Sequence, residues 1–157
     1  MLLTELAAVL TLGAMAVTSG AAQIAERKTL TLEGAKKIAA AAAAQAAKQK
    51  IPVVIAILDD GGHLIYLERL DSTQIGSIDV AIAKARTAVY YKRPSKAFED
   101  RISSGGTPAL ALLNSMPLEG GEPIFSGDQL LGAIGVSGGT SEEDGQIARA
   151  GLPALGK

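Results

Sequence analysis

The stretch Val53-Val54-Ile55-Ala56-Ile57-Leu58-Asp59-Asp60-Gly61-Gly62-His63-Leu64-Ile65-Tyr66-Leu67-Glu68-Arg69-Leu70 decides the fold. Residues 53–58 are an unbroken apolar run rich in β-branched side chains, which is typical of a strand covered on both faces. The Asp-Asp-Gly-Gly that follows predicts a tight hairpin turn, because glycine readily adopts the positive φ angles that such turns need. Residues 63–70 are then the return strand, and the only histidine of the chain directly follows the turn.

An alanine-rich helix is predicted before this hairpin. Thr31 can cap it, and Glu33 lies in its first turn, where the helix dipole favours a negative charge. The following residues, Gly34 to Gln49, are mostly alanine, the strongest helix former. We expect Leu32, Ile38 and the neighbouring alanines to form its core-facing stripe.

A second helix is predicted from Ser77, because Ile78, Ile82, Ala85 and Val89 recur at helical spacing. Asp79, Lys84 and Arg86 fall elsewhere on this helix. The helix should end near Lys92, since Pro94 disfavours helical backbone at Arg93. Ser95 can then cap a short helix that contains Phe98.

The second half of the chain predicts another hairpin and a closing helix. Residues 123–125 can pair with residues 130–136 across a Ser-Gly-Asp-Gln turn. Residues 141–144, Ser-Glu-Glu-Asp, have the form of a capping box that opens the last helix. Antiparallel hairpins with segregated helices indicate the α+β class, with helices packed on a central sheet.

Composition narrows the possible functions. The chain has 157 residues, of which 48% are hydrophobic, and this is enough for the core of one domain. The net charge of −1 and the aromatic content of 3% supply neither a basic field nor stacking side chains, so we expect no nucleic-acid partner. With no cysteine and a single histidine, a structural zinc site is set aside.

The N-terminal segment resembles a secretory signal peptide. Residues 6–17 form an apolar run too short to span a bilayer comfortably, and small residues follow at 18–22. No lysine or arginine precedes Arg27, which departs from the usual basic start. We expect residues 1–22 to be removed and residues 23–157 to form a single domain without a membrane span, periplasmic or secreted. The alternative is a helix of the mature fold in a cytoplasmic protein.

His63 could serve as a metal or haem ligand, a general base or a proton switch. A histidine directly after such a turn can instead do no more than hydrogen-bond within the turn. The one concentration of basic residues lies near two phenols and a hydroxyl, and could hold the propionates and iron of a haem or the carboxylate of a small acid. Its members are Lys84, Arg86, Lys92, Arg93, Tyr90, Tyr91 and Ser95. The alternative is a solvated helix face.

Two other features offer weaker binding sites. Carboxylates are common ligands of hard cations and ferric iron, and the chain carries them at Asp59, Asp60, Glu68, Asp71, Glu99, Asp100, Glu119, Glu122, Glu142, Glu143 and Asp144. Residues 137–139, Ser-Gly-Gly, lead into a capped helix and could present N–H groups to an anion. The glycines at 132, 135 and 138 do not form a dinucleotide fingerprint, and are better explained by close approach of a helix or ligand.

Taken together in order, six segments resemble the GlcG/HbpS family of haem-binding proteins (DUF336 type), which also includes the C-terminal domain of PduO-type proteins. They are Asp59-Asp60-Gly61-Gly62-His63-Leu64, Arg69-Leu70-Asp71, Lys84-Ala85-Arg86-Thr87-Ala88, Arg93-Pro94-Ser95, Glu119-Gly120-Gly121-Glu122-Pro123 and Gly132-Ala133-Ile134-Gly135-Val136-Ser137-Gly138. The resemblance covers about residues 29–156. It implies an α/β/α sandwich with a central antiparallel five-stranded sheet, related to the profilin-like arrangement, and assembly from dimers into larger rings such as octamers.

The resemblance also implies a haem site. One family site uses a threonine hydroxyl as an iron ligand in the segment that matches residues 93–95, where this chain has Ser95. Serine keeps the oxygen but lacks the methyl group that restricts the rotamer. Another branch uses a histidine near the first helix, and this chain has none there.

Three functional hypotheses follow. The first is an oligomeric haem-binding protein for haem storage, sensing or degradation, with Ser95 near the iron, Arg86 and Arg93 near the propionates, and Tyr90 and His63 in or beside the pocket. The second is an enzyme or accessory protein acting on a small hydroxy or oxo acid, as in glycolate metabolism, with His63 as the only imidazole base. The third is a structural assembly module without a ligand.

Overall fold

The computed structural model describes residues 25–156, so the predicted signal peptide lies outside the described residues. Within this range the helices are α1 (Leu32–Gln49), α2 (Ser77–Tyr91), α3 (Lys96–Ser103) and α4 (Ser141–Gly151). The strands are β1 (Val54–Asp59), β2 (Leu64–Arg69), β3 (Gly121–Ser126) and β4 (Gln129–Ser137), and short 3-10 turns cover Thr107–Ala111 and Leu152–Leu155. No helix of the described part is long and apolar enough to cross a bilayer.

The four strands form one antiparallel sheet in the order β2-β1-β4-β3. Both predicted hairpins are confirmed, and the second one pairs Pro123 with Ala133 and Ser126 with Gln129. The family resemblance implied five strands, but residues 25–156 form four. The α+β class is confirmed, and the profilin-like arrangement stays a prediction.

Helices cover both faces of the sheet. On one face, α1 and α4 contribute Ile38 and Ile147 to a core that includes Ile55, Ile57 and Ile134 of the central strands. On the other face, the alanines of α2 pack on Val54, Ala56 and Leu58. Strand β1 is therefore buried from both sides, as its unbroken apolar sequence predicted.

The first helix confirms one prediction and corrects another. The Thr31 hydroxyl accepts a hydrogen bond from the Gly34 N–H at 3.1 Å, so the predicted cap is present. Leu32, expected in the core stripe, is instead 50% exposed, because it lies in the first turn before the stripe begins. The buried face consists of small residues and one isoleucine, namely Gly34, Ala35, Ile38, Ala39, Ala42 and Ala46.

The last helix begins one residue earlier than the sequence suggested. Thr140, rather than Ser141, is the capping residue: its hydroxyl accepts from the Glu143 N–H, and the Glu143 carboxylate accepts from the Thr140 N–H. Hydrogen bonds that the Thr140 N–H and hydroxyl donate to the Glu143 carboxylate lower the pKa of that carboxyl. The Asp144 carboxylate accepts from the Gly139 N–H at 2.9 Å. The N–H group of Gly139, one of those expected to face an external anion, and the N–H group of Thr140 are thus bound by the chain's own carboxylates.

One ion pair joins the two helical layers. The Lys84 ammonium of α2 lies 2.7 Å from the Asp144 carboxylate of α4, and the two side chains are only 3% and 2% exposed. Lys84 also donates to the Val136 carbonyl of β4 at 3.2 Å. The sequence pattern placed Lys84 away from the core-facing stripe of α2. Its side chain nevertheless passes the end of the sheet and reaches α4 in the opposite layer.

Two glycines make room for this ion pair. A Cβ atom at Gly120 would lie 2.7 Å from the Val136 carbonyl oxygen and 3.0 Å from the Lys84 ammonium, and the residue has a φ of +125°. A Cβ atom at Gly121 would overlap the Lys84 carbonyl group. The Glu-Gly-Gly segment before β3 is therefore explained by the lysine that crosses it.

We predict that Lys84→Met destabilises the fold by about 3–5 kcal/mol, because Asp144 would remain buried without its cation. Urea unfolding measures the change. The matched control is Lys37→Met, which removes an exposed pair with Glu33 and should cost under about 1 kcal/mol. Equal losses for the two variants would contradict a stabilising role of the buried pair.

Candidate ligand-binding surface

The last turn of α2 packs against the turn of the first hairpin. The Tyr90 ring lies directly on Gly62, where an added Cβ atom would be 2.6 Å from the ring carbon Cε1. Gly62 has a φ of +83°, a conformation that glycine adopts without the cost borne by other residues. Of the two glycines predicted to supply positive φ angles in this turn, only Gly62 does so.

The backbone of this turn is held by Asp59. One of its carboxylate oxygens accepts from the N–H groups of Gly61 and His63, each at 2.9 Å. Asp60 is tied to the segment before α1 through the Arg27 guanidinium and the Thr29 hydroxyl. The His63 imidazole lies over Gly61 and is exposed, so its backbone serves the turn while its ring stays accessible.

An open apolar strip runs beside these residues. Ile82, Arg86 and Tyr90 follow one another at four-residue spacing on α2, and Ile82 and Leu67 of β2 both pack against the same core cluster. Helix α2 makes its sheet contacts with β1, β4 and β3, which leaves β2 largely uncovered on this side. Leu64, the first residue of β2, is accordingly 49% exposed.

We call this region the α2–β2 surface and define it by His63, Leu64, Leu67, Arg86 and Tyr90. It brings together three of the residues that the sequence analysis selected: His63, Arg86 and Tyr90. It combines a phenol, an imidazole and a guanidinium with one exposed and one half-buried leucine side chain. Such a surface can bind a flat apolar ligand that carries negative groups at its edge.

The three phenols of the chain differ in their hydrogen bonds. The Tyr91 hydroxyl donates to the Leu113 carbonyl at 2.6 Å, and the Tyr66 hydroxyl donates to the Glu68 carboxylate at 3.1 Å. The bond to Glu68 raises the pKa of Tyr66. Tyr90 is 46% exposed, and its hydroxyl has no hydrogen-bond partner among residues 25–156.

Ser95 lies apart from this surface and is fully buried. Its hydroxyl donates to the Leu118 carbonyl at 2.6 Å and accepts from the Gly121 N–H at 2.8 Å. Its backbone N–H donates to the Gly121 carbonyl at 2.9 Å. Ser95 does occupy the capping position of α3, but its side chain makes no capping bond, because the hydroxyl is used to join α3 to β3.

Arg93 is directed toward α3. Its guanidinium carbon lies 5.9 Å from the centre of the Phe98 ring, and its Nε–H donates to the Tyr91 carbonyl at 3.2 Å. The Phe98 ring in turn meets Tyr91 edge-on at 5.1 Å. The five residues selected from the sequence therefore separate into a group on the α2–β2 surface and a pair, Arg93 and Ser95, at the start of α3.

A cluster of two buried glutamates and a half-exposed arginine was not predicted from the sequence. The Arg149 guanidinium donates to the Glu119 carboxylate at 2.7 Å and to the Glu122 carboxylate at 3.1 Å, and both glutamates are buried. Burial raises the pKa of Glu122, and the hydrogen bond from Arg149 opposes this shift. Among residues 25–156, no three His, Cys, Asp or Glu side chains converge in a way that could hold a metal ion.

Two clefts also open on the described surface. A larger one of about 610 Å³ lies between the start of α1, the β3–β4 turn and the C-terminal 3-10 turn, with Leu30, Phe125 and Leu155 in its walls. A smaller one of about 390 Å³ is polar and is lined by Arg27, Asp60, Lys92, Asp128, Gln129 and Leu130. Neither is lined by a residue of the α2–β2 surface, and the smaller one includes Asp60 and Lys92, which the sequence had singled out separately.

Comparisons with known proteins fit this architecture. A family model described as "Haem degrading protein HbpS-like" matches residues 30–153. The GlcG protein of Escherichia coli (strain K12) is 38% identical over 108 residues, which are 69% of this chain and 81% of GlcG.

Solved structures agree with the sequence matches. A double mutant of Streptomyces reticuli HbpS superposes with a TM-score of 0.79 at 31% identity, covering 98% of this chain and 100% of that one. A PduOC structure solved as a complex with haem has a TM-score of 0.74 at 26% identity, covering 82% of this chain and 96% of that one. The family match over most of the chain, the GlcG relative and these structures lead to one conclusion: the chain belongs to the HbpS-like family.

Proposed function

We propose that this protein binds haem on the α2–β2 surface. The observation that carries the proposal is the position of the accessible Tyr90 phenol and the Arg86 guanidinium beside the exposed Leu64 and the half-buried Leu67. The family description and the haem complex of PduOC support the choice of ligand.

The donor set of this surface fits haem. The porphyrin needs an apolar contact, which Leu64 and Leu67 offer, and its propionates need a cation, which Arg86 offers. The iron needs an oxygen or nitrogen ligand, and Tyr90 and His63 are accessible. A bound haem would supply iron redox and porphyrin chemistry, while the protein would orient the ring and limit access of water.

An open surface suits a haem that is exchanged rather than permanently enclosed. Leu64 and Tyr90 are each about half exposed, so the ligand can enter and leave without unfolding of a covering element. This supports a role in haem storage, sensing or degradation, and we propose such a role in preference to that of a permanently held cofactor.

We also propose that the protein assembles into dimer-based homo-oligomers, such as octamers. Leu110, Leu113 and Leu118 are exposed on the segment between α3 and β3, and burial of such side chains stabilises an association. Light scattering at micromolar concentration measures the mass, and a monomer over the whole concentration range would contradict the proposal.

For residues 1–22 we propose cleavage during export, on the sequence pattern given above. N-terminal sequencing of the protein from the outside of the inner membrane should then begin after Ala22. An intact Met1 in that fraction would contradict cleavage.

A second candidate function is the binding of a small hydroxy or oxo acid. The polar cleft of about 390 Å³ favours it, because Lys92 and Gln129 can donate hydrogen bonds to a carboxylate there. Turnover of such an acid by the wild type, lost in Lys92→Ala with haem binding unchanged, would favour this function over the first.

Hemin titration tests the haem proposal. Wild-type protein should give a saturable Soret shift, and Arg86→Ala should weaken binding by about two- to fivefold through loss of a propionate contact. The control is Arg101→Ala on the exposed side of α3, which should bind like the wild type. Absence of a saturable shift in the wild type would exclude haem binding on this surface.

Ser95→Ala tests the ligand role that the family resemblance implied for Ser95. We expect a stability loss of about 1–3 kcal/mol, because the Gly121 N–H and the Leu118 carbonyl would lose a buried partner. Hemin affinity of the folded variant should be unchanged. A folded Ser95→Ala protein, verified by circular dichroism, that has lost its Soret shift would instead show that Ser95 binds the iron.

A further inference from the structure

We propose that the phenolate oxygen of Tyr90 is the iron ligand for ferric haem on the α2–β2 surface. This inference rests on the proposed function and adds the identity of the ligand atom, the reason for its position and the proton balance of binding. The proposed ligand is thus the accessible hydroxyl of Tyr90, rather than the buried hydroxyl of Ser95, which already makes two hydrogen bonds.

The hydroxyl groups of the protein differ in whether they are free to bind iron. The Ser95 hydroxyl is used twice within the protein, and the hydroxyls of Tyr66 and Tyr91 are each bound to another group. The chain has no cysteine. Among the phenols of residues 25–156, Tyr90 alone has an accessible hydroxyl without a partner.

The Tyr90 ring is held in place more firmly than the His63 ring before haem binds. Tyr90 lies on a 15-residue helix, and its ring packs against Gly62. The His63 ring lies over an exposed turn, where only Gly61 limits its position. A ligand that is already held in place loses less conformational freedom when it binds.

The phenolate oxygen of Tyr90 also suits the ligand preference of ferric iron. Ferric iron is a hard cation that prefers anionic oxygen, and tyrosinate is an established axial ligand of haem iron. Arg86 lies one helical turn before Tyr90 and places a positive charge on the same side of α2. This charge can pair with a propionate of the bound haem.

Gly62 explains why the phenol lies where it does. Any larger residue would put a Cβ atom within 2.6 Å of the Tyr90 ring and would also have to adopt a φ of +83°. The glycine of the Asp-Asp-Gly-Gly segment therefore acts as a positioning residue for Tyr90. The motif that precedes His63 therefore contributes to the site by positioning Tyr90.

Coordination of the iron by Tyr90 requires loss of the phenol proton and no change in the oxidation state of the iron. The iron–oxygen bond forms as the phenol O–H bond breaks, and the proton passes to water, which reaches the half-exposed ring. The iron stays ferric, so no oxidant or reductant is needed. When the ligand displaced from ferric hemin is water, one proton is released for each hemin bound.

The test compares single variants by absorption and resonance Raman spectroscopy of their hemin complexes. Wild-type protein should show a phenolate-to-iron charge-transfer band and tyrosinate vibrations, and Tyr90→Phe should lose both and bind hemin at least about tenfold more weakly. The matched controls Tyr91→Phe and Tyr66→Phe should keep them. His63→Ala should also keep them.

The outcomes separate this inference from the proposed function. A wild-type Soret shift without phenolate signatures, or a Tyr90→Phe variant that keeps affinity and spectrum, would overturn the ligand assignment while haem binding stands. Loss of binding in His63→Ala alone would move the ligand to His63. No Soret shift in the wild type would overturn both proposals.

Discussion

The buried ion pair between Lys84 and Asp144 is the contact on which the arrangement of the layers depends. It joins α2, on one face of the sheet, to α4 on the other, and it is almost completely removed from water. Removing either partner alone would leave a charge in an apolar interior, so the two helices are fixed relative to each other. The glycines before β3 provide the space through which the lysine passes.

The position of α2 has consequences at its far end. Close contact of α2 with β4 is possible because Gly135 has no side chain, and a Cβ atom there would lie 2.7 Å from the Ala85 backbone nitrogen. Seated in this way, α2 crosses β1, β4 and β3, leaves β2 open and places its last turn on Gly62. The same packing that buries Lys84 therefore creates the accessible surface around Tyr90.

Much of this fold could be predicted from the sequence, because its determinants are local. The alanine run, the turn at Gly62, the end of α2 near Lys92 and the second hairpin all follow from neighbouring residues. Lys84 and Asp144 could not be paired in the same way, because they are 60 positions apart. Asp144 also had a sufficient local explanation as an acid in the first turn of α4.

The site residues show the same limit. His63, Arg86 and Tyr90 were selected separately, and the structure brings them together because Tyr90 packs on the turn before His63. The partners of Ser95 are Leu118 and Gly121, more than twenty positions away, so its use as a buried link between α3 and β3 could not be read from the motif around it. The sequence motifs indicated the region of the site. Long-range hydrogen bonds determine that the Ser95 hydroxyl is occupied while the Tyr90 hydroxyl stays free.

The crystal structure of the hemin complex tests the central claim most directly, namely that the interior polar groups hold the fold and the α2–β2 surface binds the ligand. We expect iron bound to the Tyr90 oxygen, with Ser95 still hydrogen-bonded to Leu118 and Gly121. Iron bound at Ser95, with those two hydrogen bonds broken, would contradict it.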